Sequence, residues 1–302
     1  MNGVIPLWKP KGMTSHDCVM KLRKLLKIKR IGHTGTLDPE VEGVLPICIG
    51  KATKLVTILQ NEAKEYVAEL SLGKQTVTED QTGDVVLTEK VSPNLTIEQC
   101  EQLLHTFIGE IEQVPPMYSA IRVDGKRLYE YAREGLTVER PKRKVTIHSI
   151  ELLSNELLWI DEFDVRFKIK VNCSTGTYIR TLCVDIGKKL GYPAHMAKLE
   201  RTSAGSFTKE DTVTFTQIEQ AIIENNLSTV IMPINEALRN IPTLTISDED
   251  FFKYKHGQVL DLPVQYSNEV YLKISTKDNQ VIALYEKHPT KQNKMKPFTV
   301  FI

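Results

Sequence analysis

One short stretch, Gly32-His33-Thr34-Gly35-Thr36-Leu37-Asp38-Pro39, places an imidazole and a carboxylate in the same glycine-containing, turn-prone loop. Such a pair suits nucleophilic attack or proton transfer, and the glycines let the backbone approach a ligand closely. The same residues have a plainer reading. Asp before Pro is common turn chemistry, and an isolated histidine is more often structural. Spacing alone leaves both readings open. The nearby run Gly43-Val44-Leu45-Pro46-Ile47-Cys48-Ile49-Gly50-Lys51-Ala52-Thr53 invites comparison with a phosphate loop but fails it. Its glycines are too far apart, and Ala52 stands where Ser or Thr must follow the lysine. No GxGxxG opens a helix after a strand. The five cysteines, Cys18, Cys48, Cys100, Cys173 and Cys183, are scattered and form no CxxC pair, and no HExxH occurs. The sequence therefore predicts buried thiols in a reducing compartment and no structural zinc, and it gives no support to nucleotide-fuelled or dinucleotide chemistry.

The elements around the loop are legible from periodicity. Ser15 is a good N-cap for a helix in which Val19, Leu22, Leu25 and Leu26 recur at helical spacing. Tyr66 to Leu72 alternates as a half-buried strand, with Tyr66, Ala68, Leu70 and Leu72 on one face. Phe163 to Val171 is the clearest strand in the chain, apolar on one face and charged on the other. It leads through a loop into a helix expected from Tyr178 to Leu190, stopped by Gly191. A further helix is expected over Thr96 to Phe107. Pro233 to Pro242 is a candidate boundary. Beyond it, Val270–Ile274 and Val281–Tyr285 flank Lys277-Asp278-Asn279 as a hairpin, and Phe298–Ile302 reads as a last strand. Strands and helices mix without regular βαβ alternation, which argues an α+β class with a mixed, largely antiparallel central sheet.

Composition excludes several classes. The chain has 302 residues, 41% hydrophobic and 25% charged, with a formal net charge of +1, so it is neither disordered nor fibrous. No run of apolar residues is long enough for a membrane helix, and no signal peptide is visible, which together predict a cytoplasmic protein. Residues 1–50, 122–144 and 251–302 each carry 8 basic and 4 acidic residues, whereas 201–250 carry 3 basic and 8 acidic. A uniformly basic nucleic-acid binder is ruled out, but three local basic blocks remain. In the second, Arg122, Lys126, Arg127, Arg133, Arg140, Lys142, Arg143 and Lys144 are interleaved with Tyr129 and Tyr131, which suits phosphate contact plus stacking. A solvated helix with Glu130 and Glu134 pairing locally is the plainer alternative.

Lys9-Pro10-Lys11-Gly12-Met13-Thr14-Ser15, Gly32 to Pro39 and Gly43-Val44-Leu45-Pro46 together resemble the TruB family of tRNA pseudouridine synthases. Lys64-Glu65-Tyr66, Pro115 to Ala120, Gly125-Lys126-Arg127, Ala132 to Gly135, Gly176 to Leu182, and Leu199 with Arg201-Thr202 continue the resemblance in order, over about residues 3–205. The resemblance implies a pseudouridine-synthase fold with a catalytic domain over 1–240 and an RNA-clamping insertion near 122–150. A small PUA-like RNA-binding domain would follow over 241–302. It implies isomerisation of the uridine at position 55 of the tRNA T-loop, with the base flipped into the site and no cofactor. Asp38 matches the family's nucleophile, Arg180 its basic partner, and Tyr66 the tyrosine that stacks on the target base and is a candidate proton acceptor. His33 matches the residue that holds the space left by the flipped nucleotide, and Leu199 a wall of the uracil pocket. Ordinary core burial remains an alternative for Tyr66 and Leu199. Lys9, Tyr178, Arg127, Arg140, Lys142 and Arg143 are the further expected substrate contacts. Glu200 departs from the family, where basic residues are common. The partner implied is the T-stem-loop of tRNA, met by a monomer without an obligate protein partner. A non-catalytic RNA-binding protein, a nucleosidase using Asp38 and an RNA-guided synthase are the rival readings. The joint presence of Asp38, Tyr66 and Arg180 argues against the first, and the basic, tyrosine-bearing segment 122–144 against the second and third.

Overall fold

Gly3–Lys9 (β1) is apolar along nearly its whole length and is buried along nearly its whole length, as a strand covered on both faces must be. Ser15–Leu26 (α1) buries Cys18, Val19 and Leu22. Ile31–His33 (β2) runs antiparallel to Glu42–Ile49 (β3), with His33 opposite Ile47. The computed structural model describes residues 1–302. It separates into two compact units. The first comprises Met1–Pro39, Val44–Gln60 and Ser206–Ile302, and the second Glu40–Gly43 and Asn61–Gly205.

In the first unit, Ile5 and Leu7 of β1, α1, and Leu45, Ile47 and Ile49 of β3 share a core with helix Phe215–Ile223. The N-cap of α1 is Thr14, not Ser15. Thr14 accepts from the Asp17 amide and Asp17 accepts from the Thr14 amide, a complete capping box. Ser15 is released for another task, described below. The C-terminal part of this unit holds a five-stranded sheet in the order Thr243–Thr245, Tyr271–Ser275, Val281–Lys287, Lys294–Val300, Leu260–Asp261. Ile246, Tyr254, Leu272, Ile274, Ile282 and Tyr285 form a core of its own. The expected hairpin is present, and Asn279 turns it at φ 63°. The last strand starts at Lys294, earlier than Phe298. Lys294 and Lys296 disguise it in the sequence, but they pair with Asp261 and Glu286 while Met295 between them is buried. Lys273 fastens the segment before this sheet. Its amide donates to the Pro242 carbonyl, and its buried Nζ donates to the carbonyls of Asn235 and Leu238.

The second unit is built on Lys64–Leu72 (β4). Gly109–Gln113 (β5), Arg143–Leu152 (β6) and Asp164–Cys173 (β7) lie on one side of it, β7 beside β4 and β5 outermost. On the other side Ala194–Ala204 (β8) runs antiparallel to β4 and pairs in parallel with Glu42 and Gly43. One parallel and several antiparallel ladders make the mixed sheet that the sequence predicts. Ile179–Leu190 (α2) follows the expected span, with Tyr178 as N-cap and Gly191 as a left-handed C-cap at φ 90°. The helix expected over 96–107 runs from Ile97 to Leu104 and tightens into a 3-10 turn. The half-buried character expected of β4 is not found. Glu69 and Ser71, on the supposedly solvated face, are buried because Arg166 of β7 reaches over them. Arg166 holds Asp164 through two hydrogen bonds of 2.7 Å and Glu69 through one of 3.2 Å, and Ser71 donates to Asp164. All five cysteines are buried and free. Burial pushes Cys48 up to about 12, and Cys100 and Cys173 up to about 11.

Candidate active site

The loop between β2 and β3 is fixed on both sides of Asp38. Before it, Leu37 is buried and exchanges two hydrogen bonds with the Ser15 hydroxyl, which accepts from the Leu37 amide at 2.8 Å and donates to its carbonyl at 3.3 Å. After it, the Pro39 carbonyl accepts from the Gly12 amide at 2.9 Å and from Lys9 Nζ at 3.1 Å. Thr34 is buried and its amide donates to the Pro46 carbonyl. His33 Nδ1 accepts from the Gly35 amide at 3.3 Å. Asp38 itself is half-buried. A carboxylate whose two chain neighbours are anchored has little freedom left, which is what an attacking group needs before it meets a substrate.

The outcome for Lys9 differs from the expectation of a substrate contact. It is fully buried, and its Nζ donates to the Pro10 carbonyl at 2.8 Å as well as to Pro39. An ammonium enclosed in this way ties Pro39, and with it the loop, to the end of β1.

In the second unit, Tyr66 stands on β4 opposite Arg201 of β8 and Val171 of β7. Leu199 is opposite Ala68. By strand alternation Tyr66, Leu199 and Arg201 share one face, and Tyr66 and Leu199 are half-exposed there. Arg180 sits in the first turn of α2 and is buried. Its Nη1 donates to the Thr78 carbonyl at 3.0 Å and its Nη2 to the Tyr118 carbonyl at 2.9 Å, and Asp80 lies 3.8 Å away. Tyr178 is gripped through its backbone by the fully buried side chain of Gln113, which accepts from the Tyr178 amide and donates to its carbonyl. Arg143, opposite Gln113 in the β5–β6 ladder, lies over the Tyr178 ring at 5.8 Å. Its Nε is buried without a hydrogen-bond partner.

Several of these supports escaped sequence reasoning. Asp80 and Thr78 belong to a tight turn in which the Asp80 carboxylate accepts from the Thr78 hydroxyl and from the Thr82 amide and hydroxyl. Glu79 between them holds the left-handed region at φ 62°, a strained conformation for such a residue. Its carboxylate accepts from Thr181, and burial raises its pKa. The Thr-Val-Thr-Glu-Asp run is dense in turn formers, and that was the signal available. Gln113 carried none.

The basic segment is not one solvated helix. Arg122–Val123 and Lys126–Arg127 form a small hairpin around Asp124-Gly125, followed by the short helix Leu128–Arg133. Lys126 pairs with Glu134, as local pairing would have it. Lys142 and Lys144 pair across the sheet edge with Glu112 and Glu110 at 2.7 and 2.8 Å. Arg127 is exposed and donates to the Tyr129 hydroxyl, Arg133 lies over the same ring, and Arg140 donates to the Pro115 carbonyl.

Comparison with known proteins gives a consistent picture. The model of the TruB family pseudouridylate synthase N-terminal domain matches residues 23–179, and that of the tRNA pseudouridylate synthase B C-terminal domain matches residues 180–239. The tRNA pseudouridine synthase B of Bacillus licheniformis is 51% identical over 304 residues, which covers 100% of this chain and 98% of that protein. Its counterpart in Oceanobacillus iheyensis is 48% identical, with the same coverage of 100% and 98%. Among solved structures, a chain of a Cbf5-Nop10-Gar1 complex superposes with a TM-score of 0.73 at 31% identity, over 99% of this chain and 85% of that one. A chain of an H/ACA RNP bound to a substrate RNA containing 2′-deoxyuridine gives a TM-score of 0.72 at 27% identity, again over 99% and 85%.

Proposed function

The chain belongs to the TruB family of pseudouridylate synthases, shares their fold and isomerises uridine to pseudouridine in tRNA, and from that premise we propose that its target is the uridine at position 55 of the T-loop, attacked by Asp38. In this reading the N1–C1′ bond breaks, the uracil turns within the site, and C5 bonds to C1′. The C5 proton leaves to solvent and N1 gains one, so atoms and charge balance without a redox partner, and no cofactor is required. The observation that supports Asp38 most is the double anchoring of its loop at Leu37 and Pro39.

The remaining roles follow the family. Arg180 keeps Asp38 ionised. Tyr66 stacks on the base, worth about 1–3 kcal/mol, and is the candidate proton acceptor. Leu199 walls the uracil. His33 fills the gap left by the flipped nucleotide, whose extrusion costs a few kcal/mol. Arg127, Arg140, Lys142, Arg143 and Tyr178 meet the T-stem-loop, and residues 241–302 form a separate RNA-binding domain. The chain acts as a cytoplasmic monomer without a partner protein, a reading supported by the near-complete coverage of relatives carrying the tRNA synthase name.

Unmodified tRNA carrying C5-tritiated uridine tests the core of this reading. Wild type releases tritium without added metal or nucleotide. A transcript with cytidine at the T-loop position releases none. Asp38→Asn abolishes release and leaves tRNA binding within about twofold. Normal turnover by that variant would overturn the nucleophile assignment.

A further inference from the structure

Arg201 heads the side chains that are fully buried, at 1% exposure. It stands directly opposite Tyr66 in the β4–β8 ladder, where partner Cβ atoms lie about 4.5–5.5 Å apart. Lys64 precedes Tyr66 by two positions and so shares its face. It is 4% exposed, and its Nζ donates to the Glu62 carbonyl at 2.6 Å. Two glycines make room for the group. Gly43, at φ 134°, pairs with Arg201, and a Cβ there would collide with the Arg201 backbone. Gly205, at φ 61°, leaves the space that the Glu62 carboxylate occupies. Two cations enclosed on one strand face are expensive to bury. The strain shows in Lys64, which burial, and then the neighbouring Arg201, lower to about 8 against the opposing pull of Glu62 and of Cys173 on β7. Lys64 is therefore charged beside Arg201 at neutral pH and loses that charge as pH rises through about 8.

The reaction creates an anion for such a charge to act on. When the N1–C1′ bond breaks, its electron pair stays with the uracil, spread over N1, O2 and O4. We propose that Lys64 and Arg201 supply a fixed positive field, behind the tyrosine on which the base stacks, that stabilises the detached uracil anion. This inference rests on the roles proposed above for Asp38 and Tyr66. The two cations act as positioning residues through their field, aimed where charge develops and already in place before reaction. A unit charge about 8 Å away at an effective dielectric constant of about 20 changes a rate by about 30-fold.

The test measures the single-turnover loss of the target nucleoside, uridine or 5-fluorouridine, by chromatography of nuclease digests; the fluorinated base has no C5 proton to release and stops once C5 has bonded to C1′, so its loss reports the bond-breaking step alone. Fluorine makes the departing uracil a weaker base that needs less stabilisation. Lys64→Met is expected to slow the uridine substrate about 30-fold and the fluorinated one much less, with tRNA affinity within twofold. Equal slowing of both substrates would mean a purely structural role and overturn the inference. Between pH 6.5 and 9 the wild-type rate is expected to fall as Lys64 loses its charge, whereas Lys64→Arg, which stays charged, holds its rate. A wild-type rate that does not fall overturns the inference even if Lys64→Met fails to fold. Asp38→Asn separates the two levels. Turnover by that variant removes the underlying reading, while its inactivity together with equal slowing in Lys64→Met removes only the proposed field.

Discussion

Replacing Lys9 by Met tests whether this residue holds the Asp38 loop or touches RNA. Methionine fills most of the lysine stem volume, so the buried packing survives and the change isolates the ammonium. Two hydrogen bonds disappear, to the Pro10 carbonyl at 2.8 Å and to the Pro39 carbonyl at 3.1 Å. Bonds from a charged donor contribute about 1.5–3 kcal/mol each, but removing a buried charge also removes its desolvation cost. Pro39 keeps the Gly12 amide as a donor. The net loss of stability is therefore expected to be about 2 kcal/mol, read as a lower urea midpoint with an unchanged slope. The larger effect falls on chemistry. With one of its two Pro39 anchors gone, the Asp38 loop is free to drift by about 1 Å, and misplacement on that scale costs about 100-fold in rate. Tritium release under single-turnover conditions should fall accordingly, while tRNA affinity and its salt dependence stay as in wild type. A variant with a normal chemical rate but weakened binding, and a salt slope reduced by about 1, would mean that Lys9 contacts a phosphate after all.

Arg166→Met leaves Asp164 and Glu69 buried without their guanidinium and is expected to cost about 3 kcal/mol in thermal or urea unfolding. Lys168 and Lys198, at 3.9 and 3.8 Å from Glu69, compensate only that carboxylate. Burial raises the Asp164 carboxyl, but hydrogen bonds from Arg166 and Ser71 outweigh it and hold the group below its usual range. That contribution is present above the ordinary carboxylate pKa and is lost as pH falls through the folded value, so the gap between variant and wild type should narrow in acid. Replacing Arg140, Lys142, Arg143 and Lys144 together by Ala is expected to raise KM and flatten the salt dependence of binding. The slope should drop by about 2 rather than 4, because Lys142 and Lys144 are each offset by a glutamate. An unchanged slope would assign the segment to the solvated surface.

Local rules sufficed where one interaction decides an element. Gly191 stops α2 because a left-handed cap favours glycine, and the hairpin around Asn279 follows from turn residues between two apolar runs. They failed where a distant side chain intervenes. Glu69 and Ser71 alternate like solvated residues, and only Arg166 from another strand makes them core. Ser15 looked like a cap, yet its hydroxyl is used 22 residues later, at Leu37. In the candidate site, Asp38, Tyr66 and Arg180 were legible because they stand in the motifs that carry the family resemblance. Asp80 and Gln113 were not singled out, and Arg201 was named only as a motif residue without a role, since each acts through a partner that spacing does not reveal. Lys9 was visible as a motif residue, but its burial is not written in the local sequence.

The first strand has a consequence for how the molecule is made. Val4 exchanges both main-chain hydrogen bonds with Met232, at 2.9 and 2.8 Å, and Val213 donates to the Pro6 carbonyl and accepts from the Trp8 amide. On that side β1 finds no neighbour until residue 213 has been synthesised. At about 5–20 residues per second the ribosome takes on the order of 10–40 s to reach it. Residues Asn61–Gly205, by contrast, lie in one uninterrupted run and emerge together, so their antiparallel ladders close during that wait. The nascent chain thus completes the Tyr66 and Arg180 supports first and pairs the outer side of its own first strand last.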